Sequence, residues 1–333
     1  MDISHLNFYR IFLNLSFLNL SFILGCGSVF AAPPSYPDHP VTLVVPSTPG
    51  GGTDTSSRLL IPKISEILGQ PIVIINRPGA SGNIGAASVA SSTADGYTLL
   101  TLISSNVINP NLYQKVGYDI EKDFTPISRT VTVQGVLVSN QALPANNLQE
   151  LITYLKANPN KINYGSGGTG SFSHLMMELF QINAGIKLLH VPYKATSPAF
   201  TDVLANHVSL MIVDIALALP YIKNGSLKAY GVTSNKRSLI APDIPTLSES
   251  GMVGLEGIQW FGLVAPAKLP KPILDKLFQA VHKTLSDPEI QATLAKEGMN
   301  ASPSASPDEF NAFMKSETIK WSKVIKDAKI ERE

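Results

Sequence analysis

Cysteine is almost missing from this chain: Cys26 is the only one in 333 residues. A disulfide framework, a redox pair and a thiolate metal site are thereby excluded. Charge is scarce and balanced, with 26 Lys plus Arg against 25 Asp plus Glu and 15% charged residues. With no basic field and no acidic block, nothing attracts nucleic acid, and the expected partner is a small molecule. Beyond the first residues the histidines are His39, His174, His190, His207 and His282, scattered and without H-E-x-x-H or paired spacing. No metal and no cofactor is expected from them. A serine nucleophile elbow needs Gly-x-Ser-x-Gly, and Ser81 has Gly79 before it but Asn83 after it. With no triad, thiol or metal spacing, no catalytic residue is assigned and the chain is read as a non-enzyme.

What is present begins with an export leader. Arg10 is the only positive charge ahead of the apolar, Asn-interrupted run Ile11 to Leu24, and Val29-Phe30-Ala31 places small residues where a signal peptidase looks. Cleavage is expected after Ala31, because cutting after Ala32 would set Pro33 beside the scissile bond. Residues 11–24 are too few to cross a hydrocarbon core of ~30 Å at ~1.5 Å per residue. An imperfect lipobox, Ile23-Leu24-Gly25-Cys26, leaves a lipoprotein as the alternative. Removing residues 1–31 leaves roughly 300 residues, a length at which single cores begin to divide, so two domains are expected.

Val41 to Pro46 is β-branched and apolar and predicts a buried strand. The spacing of Leu59, Leu60, Ile64, Ile67 and Leu68 predicts a helix over Ser56 to Leu68 closed by Gly69, with Pro62 forcing a kink or a late start. Pro71 to Ile75 is the next strand, completing a β-α-β unit. Further strands are expected at Tyr97 to Ile103, Gln134 to Ser139, Ile162 to Tyr164, Leu188 to Val191, Val208 to Val213 and Leu227 to Thr233. Helices are expected at Ile84 to Ala90, Leu148 to Ala157, Phe172 to Ala184 and Pro198 to Ala205, and from Pro272 onward, with breaks at Pro288 and at Ser302 to Pro307. The alternation makes the fold class α/β.

Two glycine loops stand out. Pro46-Ser47-Thr48-Pro49-Gly50-Gly51-Gly52-Thr53-Asp54 lies between a strand and a helix. Glycines there let backbone N–H groups approach an anion, and the helix N-terminus adds roughly half a positive charge. The plainer reading is a tight turn with Thr53 or Asp54 as N-cap. The second loop, Tyr164 to His174, repeats the strand-glycine-helix order and adds the hydroxyls of Ser166, Thr169, Ser171 and Ser173. It lacks the Gly-Lys-Ser/Thr of a P-loop and the full dinucleotide fingerprint. Neither loop contains Lys or Arg, which suits a small carboxylate held by neutral donors better than a phosphate. A third piece, Asn76 to Gly85, is either a packing turn or a ligand loop. His174 is expected to cap or pack against the second loop, Trp260 and Phe261 to be core aromatics rather than a stacking wall, and Asp54 to be a helix-start residue before a ligand group.

At these residues the chain resembles the periplasmic receptors of the tripartite tricarboxylate transporters, the Bug receptor family. The carrying segments are Tyr36 to Val41, Val45-Pro46 through Gly50 to Asp54, Gly69-Gln70-Pro71, Asn76 to Ala80, Gly82 to Gly85, Asp95 to Leu99, Tyr164-Gly165-Ser166, His174-Leu175, His190 to Lys194, Val232-Thr233-Ser234, Pro242 to Thr246 and Trp260-Phe261-Gly262. They run in the family's order along nearly the whole chain after the leader.

The resemblance implies a two-domain periplasmic-binding-protein clamshell, each domain a mainly parallel sheet flanked by helices, with two crossovers. Domain one would take residues 36–130 plus 232–333, and domain two 131–231. It implies a ligand carboxylate held by Ser47, Thr48, Gly52, Thr53, Ser105 and Asn106. Domain two would add Ser166, Gly168, Thr169, Gly170 and Ser171 with Asp214, an acid able to receive a ligand ammonium or hydroxyl or to repel a second carboxylate. The expected protein is a periplasmic monomer that captures a mono-, di- or tricarboxylate or an amino acid-like ligand and delivers it to the membrane permease subunits of such a transporter. The alternative is an orphan receptor or sensor of a carboxylate or aromatic acid that signals to a membrane partner. Two departures bear on the ligand: Ser47 and Thr48 stand where an aromatic and a variable residue are common, and Ala195 where glycine is usual.

Overall fold

The computed structural model describes residues 36–332; the leader, its cleavage site and the Cys26 lipobox lie outside them. Strands β1 (Val41–Val45), β2 (Ile72–Asn76) and β3 (Thr98–Ile103) alternate with helices α1 (Gly52–Leu68), α2 (Asn83–Ala90) and α3 (Ser104–Ile108). The order continues β4 (Phe124–Asn140), α4 (Leu148–Ala157), β5 (Asn163–Ser166), α5 (Phe172–Ala184), β6 (Leu189–Pro192), α6 (Thr196–Leu204), β7 (Leu210–Asp214), α7 (Ile215–Lys223) and β8 (Leu227–Val232). It ends with β9 (Ile258–Pro266), α8 (Lys271–Leu285), α9 (Pro288–Lys296), β10 (Met299–Ala301) and α10 (Pro307–Asp327). Among the described residues no helix is long and apolar enough to cross a membrane.

Local chemistry accounts for the helix bounds. In α4 the Asn147 side chain accepts from the Glu150 N–H, and in α5 the Ser171 side chain accepts from the His174 N–H, each satisfying an orphan donor. Gly185 ends α5 and Gly69 ends α1 in the left-handed conformation. Helix α1 begins at Gly52, ahead of the expected Ser56, with Gly51 as an N-cap that has no side chain to offer. Pro62 faces solvent within it, while Leu60, Ile61, Ile64 and Leu68 are buried.

One 17-residue strand joins two sheets. Phe124 to Gln134 of β4 pairs antiparallel with β9, and its Val131 to Val133 with β10. Gly135 to Asn140 pairs instead with β7 and β8. Beyond β9 lie β3, β1 and β2, the last three mutually parallel; beyond β7 lie β5 and β6, parallel to it. The fold is thus α/β, with antiparallel strands where the chain crosses from one sheet to the other. Bulges near Ile127 and Thr130 and between Leu137 and Val138 let so long a strand bend.

The return crossing runs beside the first. The Gly135 N–H donates to Thr233 Oγ1 at 3.1 Å, the Thr233 N–H to the Gly135 carbonyl at 2.9 Å, and the Gln134 amide to Ser234 Oγ at 2.8 Å. A Cβ at Gly135 would come within 3.1 Å of Ile212, Phe172 and Thr233 side-chain atoms, so the crossing is closely packed and these neighbours would have to shift by a few tenths of an ångström to admit one. Helix α10 covers one side, with its Phe310, Trp321 and Ile325 in a core that also holds Val44 and Leu100 of the first sheet and Leu137 and Tyr164 of the second. Trp260 belongs to this core, fully buried, and its Nε1 shares the Glu317 carboxylate with Trp321 Nε1, both at 3.1 Å.

Candidate functional site

The C-terminal ends of β1, β2 and β3 open toward those of β5, β6 and β7, and the loops that follow them line a cleft of about 500 Å³. In sheets of this kind such strand ends are where loops can converge without disturbing the core. The first sheet contributes Pro46, Ser47 and Thr48, then Pro78 to Gly82, then Ile103, Ser104 and Ser105. The second contributes Gly167, Ser171 to Ser173, Lys194 to Thr196 and Ile212 to Asp214, and Gln259 completes the wall.

The first loop is organised by Asp54, which is 2% exposed. Its Oδ2 accepts from the Gly50 N–H and from Arg58 Nε, both at 2.9 Å, and its Oδ1 from the Asn76 amide at 2.9 Å. The same amide reaches the Ser47 carbonyl at 3.0 Å, so one carboxylate fixes the strand end, the glycines and the helix start together. Burial alone would raise the pKa of this group, but the bonds from Arg58, Gly50 and Asn76 outweigh it and hold the pKa at about 2. Asp54 is a helix-start anchor, buried beneath the loop rather than facing the ligand space.

The second loop is organised by neutral rings. His174 Nδ1 accepts from the Gly170 N–H at 3.0 Å, Ser173 Oγ from the Gly167 N–H at 3.1 Å, and Ser166 Oγ from the Gly168 N–H at 3.1 Å. Ser166 Oγ in turn lies 2.6 Å from His190 Nε2, and the two imidazoles stack with centroids 4.1 Å apart. Desolvation, with a smaller push from His190, lowers the His174 pKa to about 3, and desolvation lowers that of His190 to about 4. Both rings are therefore neutral at ordinary pH, the state in which Nδ1 of His174 can accept.

The third glycine segment is a packing turn and a cleft wall at once. A Cβ at Gly85 would sit 2.8 Å from Pro46 Cβ and 2.9 Å from the Arg77 carbonyl. Ala80 and Ser81 adopt left-handed backbone (φ 45° and 53°), and the Ser81 carbonyl accepts from Ser105 Oγ at 3.2 Å and the Asn109 amide at 3.1 Å.

Of the residues singled out in the sequence, Ser47, Thr48, Ser105, Ser171 and Asp214 come together on the cleft wall. Gly52 and Thr53 start α1, the latter buried with its carbonyl accepting from Ser56 and Ser57. Asn106 is fully buried, its Oδ1 accepting from the Ile103 N–H and its Nδ2 without a partner. Ser166, Gly168 and Gly170 sit behind the wall as parts of the brace. Thr169 faces a separate cavity of about 400 Å³ with His174, Glu178, His190 and the chain end from Ala328 to Arg332. Pro78 to Gly82, within the segment left open between packing turn and ligand loop, also line the wall, as do Lys194 to Thr196 and Gln259, which the sequence did not single out as ligand contacts. Lys194 to Thr196 follow directly on β6, and their position after a parallel strand was the available signal.

Two features define the wall chemically. Ser47 Oγ is buried and has no hydrogen-bond partner among the described residues. Among the described residues, Lys194 and Asp214 are the only charged side chains lining the cleft. Lys194 is exposed; Asp214 is partly buried, and desolvation raises its pKa to about 6. The remaining polar surface consists of hydroxyls, the Gln259 amide and backbone, which can hold a small anion by neutral donors.

Residues 57–330 match the family model described as the tripartite tricarboxylate transporter family receptor. The chain is 34% identical to Protein BugT of Bordetella pertussis over 322 residues, 93% of this chain and 98% of that one. Among solved structures it is similar to R. palustris Rpa4515 with adipate, at 34% identity and a TM-score of 0.81, covering 90% of this chain and all of the other. It is also similar to MatC from Rhodopseudomonas palustris with bound malate, at 31% identity and a TM-score of 0.76, covering 87% of this chain and all of the other. The fold, the strand-end cleft and these likenesses agree: the chain belongs to the tripartite tricarboxylate transporter receptor family, a family of solute-binding proteins.

Proposed function

We propose that this protein is a periplasmic receptor that captures a small carboxylate in the cleft, closes on it, and hands it to the membrane subunits of a tripartite tricarboxylate-type permease. The observation that carries the reading is the convergence of Ser47, Thr48 and Ser105 from one sheet with Ser171 and Thr196 from the other, around a cavity where Lys194 is the only cationic side chain among the described residues. Hydroxyl and amide donors suit a carboxylate, and about 500 Å³ suits a small organic acid. The adipate and malate of the two solved relatives are carboxylates. In this reading residues 36–130 plus 232–333 form one closing domain and 131–231 the other, the crossings at Gly135 and Thr233 form the hinge, and residues 1–31 direct export and are removed.

Calorimetric titration of folded, ligand-free protein with mono-, di- and tricarboxylates and acidic amino acids tests this. At least one is expected to bind saturably at one site per chain, and Ser47→Ala to weaken it about tenfold, the worth of one good hydrogen bond to a charged group. A folded protein that binds no organic acid would overturn the reading.

A further inference from the structure

Asp214 ends β7 and immediately precedes α7, the position at which an aspartate ordinarily caps its helix. Here it does not: its side chain makes no cap bond, and no hydrogen bond or ion pair among the described residues reaches its carboxylate. It looks into the cleft beside Ile212 and Val213. An acceptor that is partly withdrawn from water and bonded to nothing is costly, and the cost is relieved by any partner that brings a donor.

We infer that the ligand carries, besides its carboxylate, a hydroxyl or ammonium that donates to Asp214, so that this residue selects hydroxy- or amino-substituted acids over their unsubstituted counterparts. The inference rests on the carboxylate reading of the cleft and names the ligand class within it. The surroundings of Asp214 support it. Opposite it on β4 stands Gly135, the neighbouring α5 presents Phe172, and the return crossing presents Thr233; none is charged. The other charged group on the wall, Lys194, follows β6 on the exposed side. Desolvation alone raises Asp214, with no cation to offset it. An unsubstituted dicarboxylate would bring a second negative charge against this acid and force it to take up a proton, whereas a hydroxyl or ammonium favours the ionised form.

The two cases give opposite pH dependences. A donor-bearing ligand binds more tightly as pH rises through about 6, and an unsubstituted acid binds more weakly. His174 and His190, at about 3 and 4, titrate below this window.

The test is calorimetry at pH 5.0 and 7.5 with two matched series: succinate, malate and aspartate, then glutarate, 2-hydroxyglutarate and glutamate. Within the series that binds, the hydroxy or amino member is expected to bind at least tenfold more tightly than the unsubstituted one at pH 7.5, with a smaller gap at pH 5.0. Asp214→Ala loses no internal bond, should melt no lower than wild type, and is expected to close the gap from both sides at pH 7.5, weakening the substituted acid and tightening the unsubstituted one. Asp214→Asn separates the donors: a hydroxyl retains most of its affinity against an amide, and an ammonium loses it. An unsubstituted acid that binds as tightly as its substituted partners, a gap that survives in Asp214→Ala, or a gap that widens toward pH 5.0 overturns the inference while leaving carboxylate capture standing. Binding by no acid of either series or of the wider panel overturns capture and the inference together.

Discussion

The two glycine loops share a strand-loop-helix plan and are braced by opposite means. Behind the first stands one buried carboxylate, Asp54, ionised down to about pH 2 by the donors around it. Behind the second stand two stacked imidazoles, His174 and His190, held neutral by burial, with His174 Nδ1 accepting a bond from the Gly170 N–H that a protonated ring could not accept. The same backbone task is thus done once by an anion and once by neutral acceptors, and the two solutions differ in how they respond to acid. The first loop keeps its brace across the ordinary pH range, and the second loses it first.

Acidification should produce the largest effect. The folded pKa values of His174 and His190 lie below the ordinary 6.5, so the unfolded chain binds more protons than the native one as pH falls from about 6.5 toward 4. Stability is therefore full above about 6.5 and declines below it, by up to ~1.4 kcal/mol per pH unit for each ring, or about 5 kcal/mol for the pair by pH 4.5. Asp54 has the same sign in a lower window: its contribution is complete above 3.8 and is lost toward 2. Urea titrations from pH 4.5 to 7.5 would show this, and replacing both rings, His174→Phe with His190→Phe, should flatten the profile. An equally steep decline in the double variant would remove the histidines from the explanation.

Asp54→Ala comes next. It leaves the Gly50 N–H, the Asn76 amide and Arg58 without their acceptor, at a cost of about 3 kcal/mol at neutral pH. A loss below ~1 kcal/mol in chemical denaturation would mean that the loop is held by its backbone alone. Arg58→Met should matter least. The Arg58 side chain is 53% exposed and Asp54 keeps two other bonds, so the expected loss is under ~1 kcal/mol.

Much of this molecule was legible where signals are local. Helices Leu148–Ala157 and Phe172–Ala184 begin and end as expected because Asn147, Ser171 and Gly185 mark their bounds in the chain itself. Helix α1 starts early because its N-terminus uses glycine backbone instead of a capping side chain. Strand β4 was expected only over Gln134 to Ser139. Its first half carries Pro126 and Arg129 among alternating polar residues, and it is a strand because β9, more than a hundred residues later, pairs with it. Helix α7 was not expected, because Ile215–Lys223 is apolar almost throughout and has Pro220 inside it.

The site divides in the same way. Residues at strand ends or in the loops that follow them, such as Ser47, Ser105, Ser171 and Asp214, reach the wall, since strand ends are readable in one dimension. The glycines of the second loop suggested a ligand approaching backbone. In three dimensions their N–H groups at Gly167, Gly168 and Gly170 are taken by Ser173, Ser166 and His174, and Gly168 and Gly170 supply positive φ of 113° and 75° for the turn. No pattern in sequence distinguishes a glycine that admits a ligand from one that admits its own helix's side chains.

The most direct measurement is a crystal structure of the protein with its tightest-binding carboxylate. Carboxylate oxygens within hydrogen-bond distance of Ser47 and Ser105, with another part of the same molecule against Ser171 or Asp214, is the result predicted here. A ligand seated away from the strand-end cleft, or bound with its carboxylate in bulk water, would contradict capture between the two sheets.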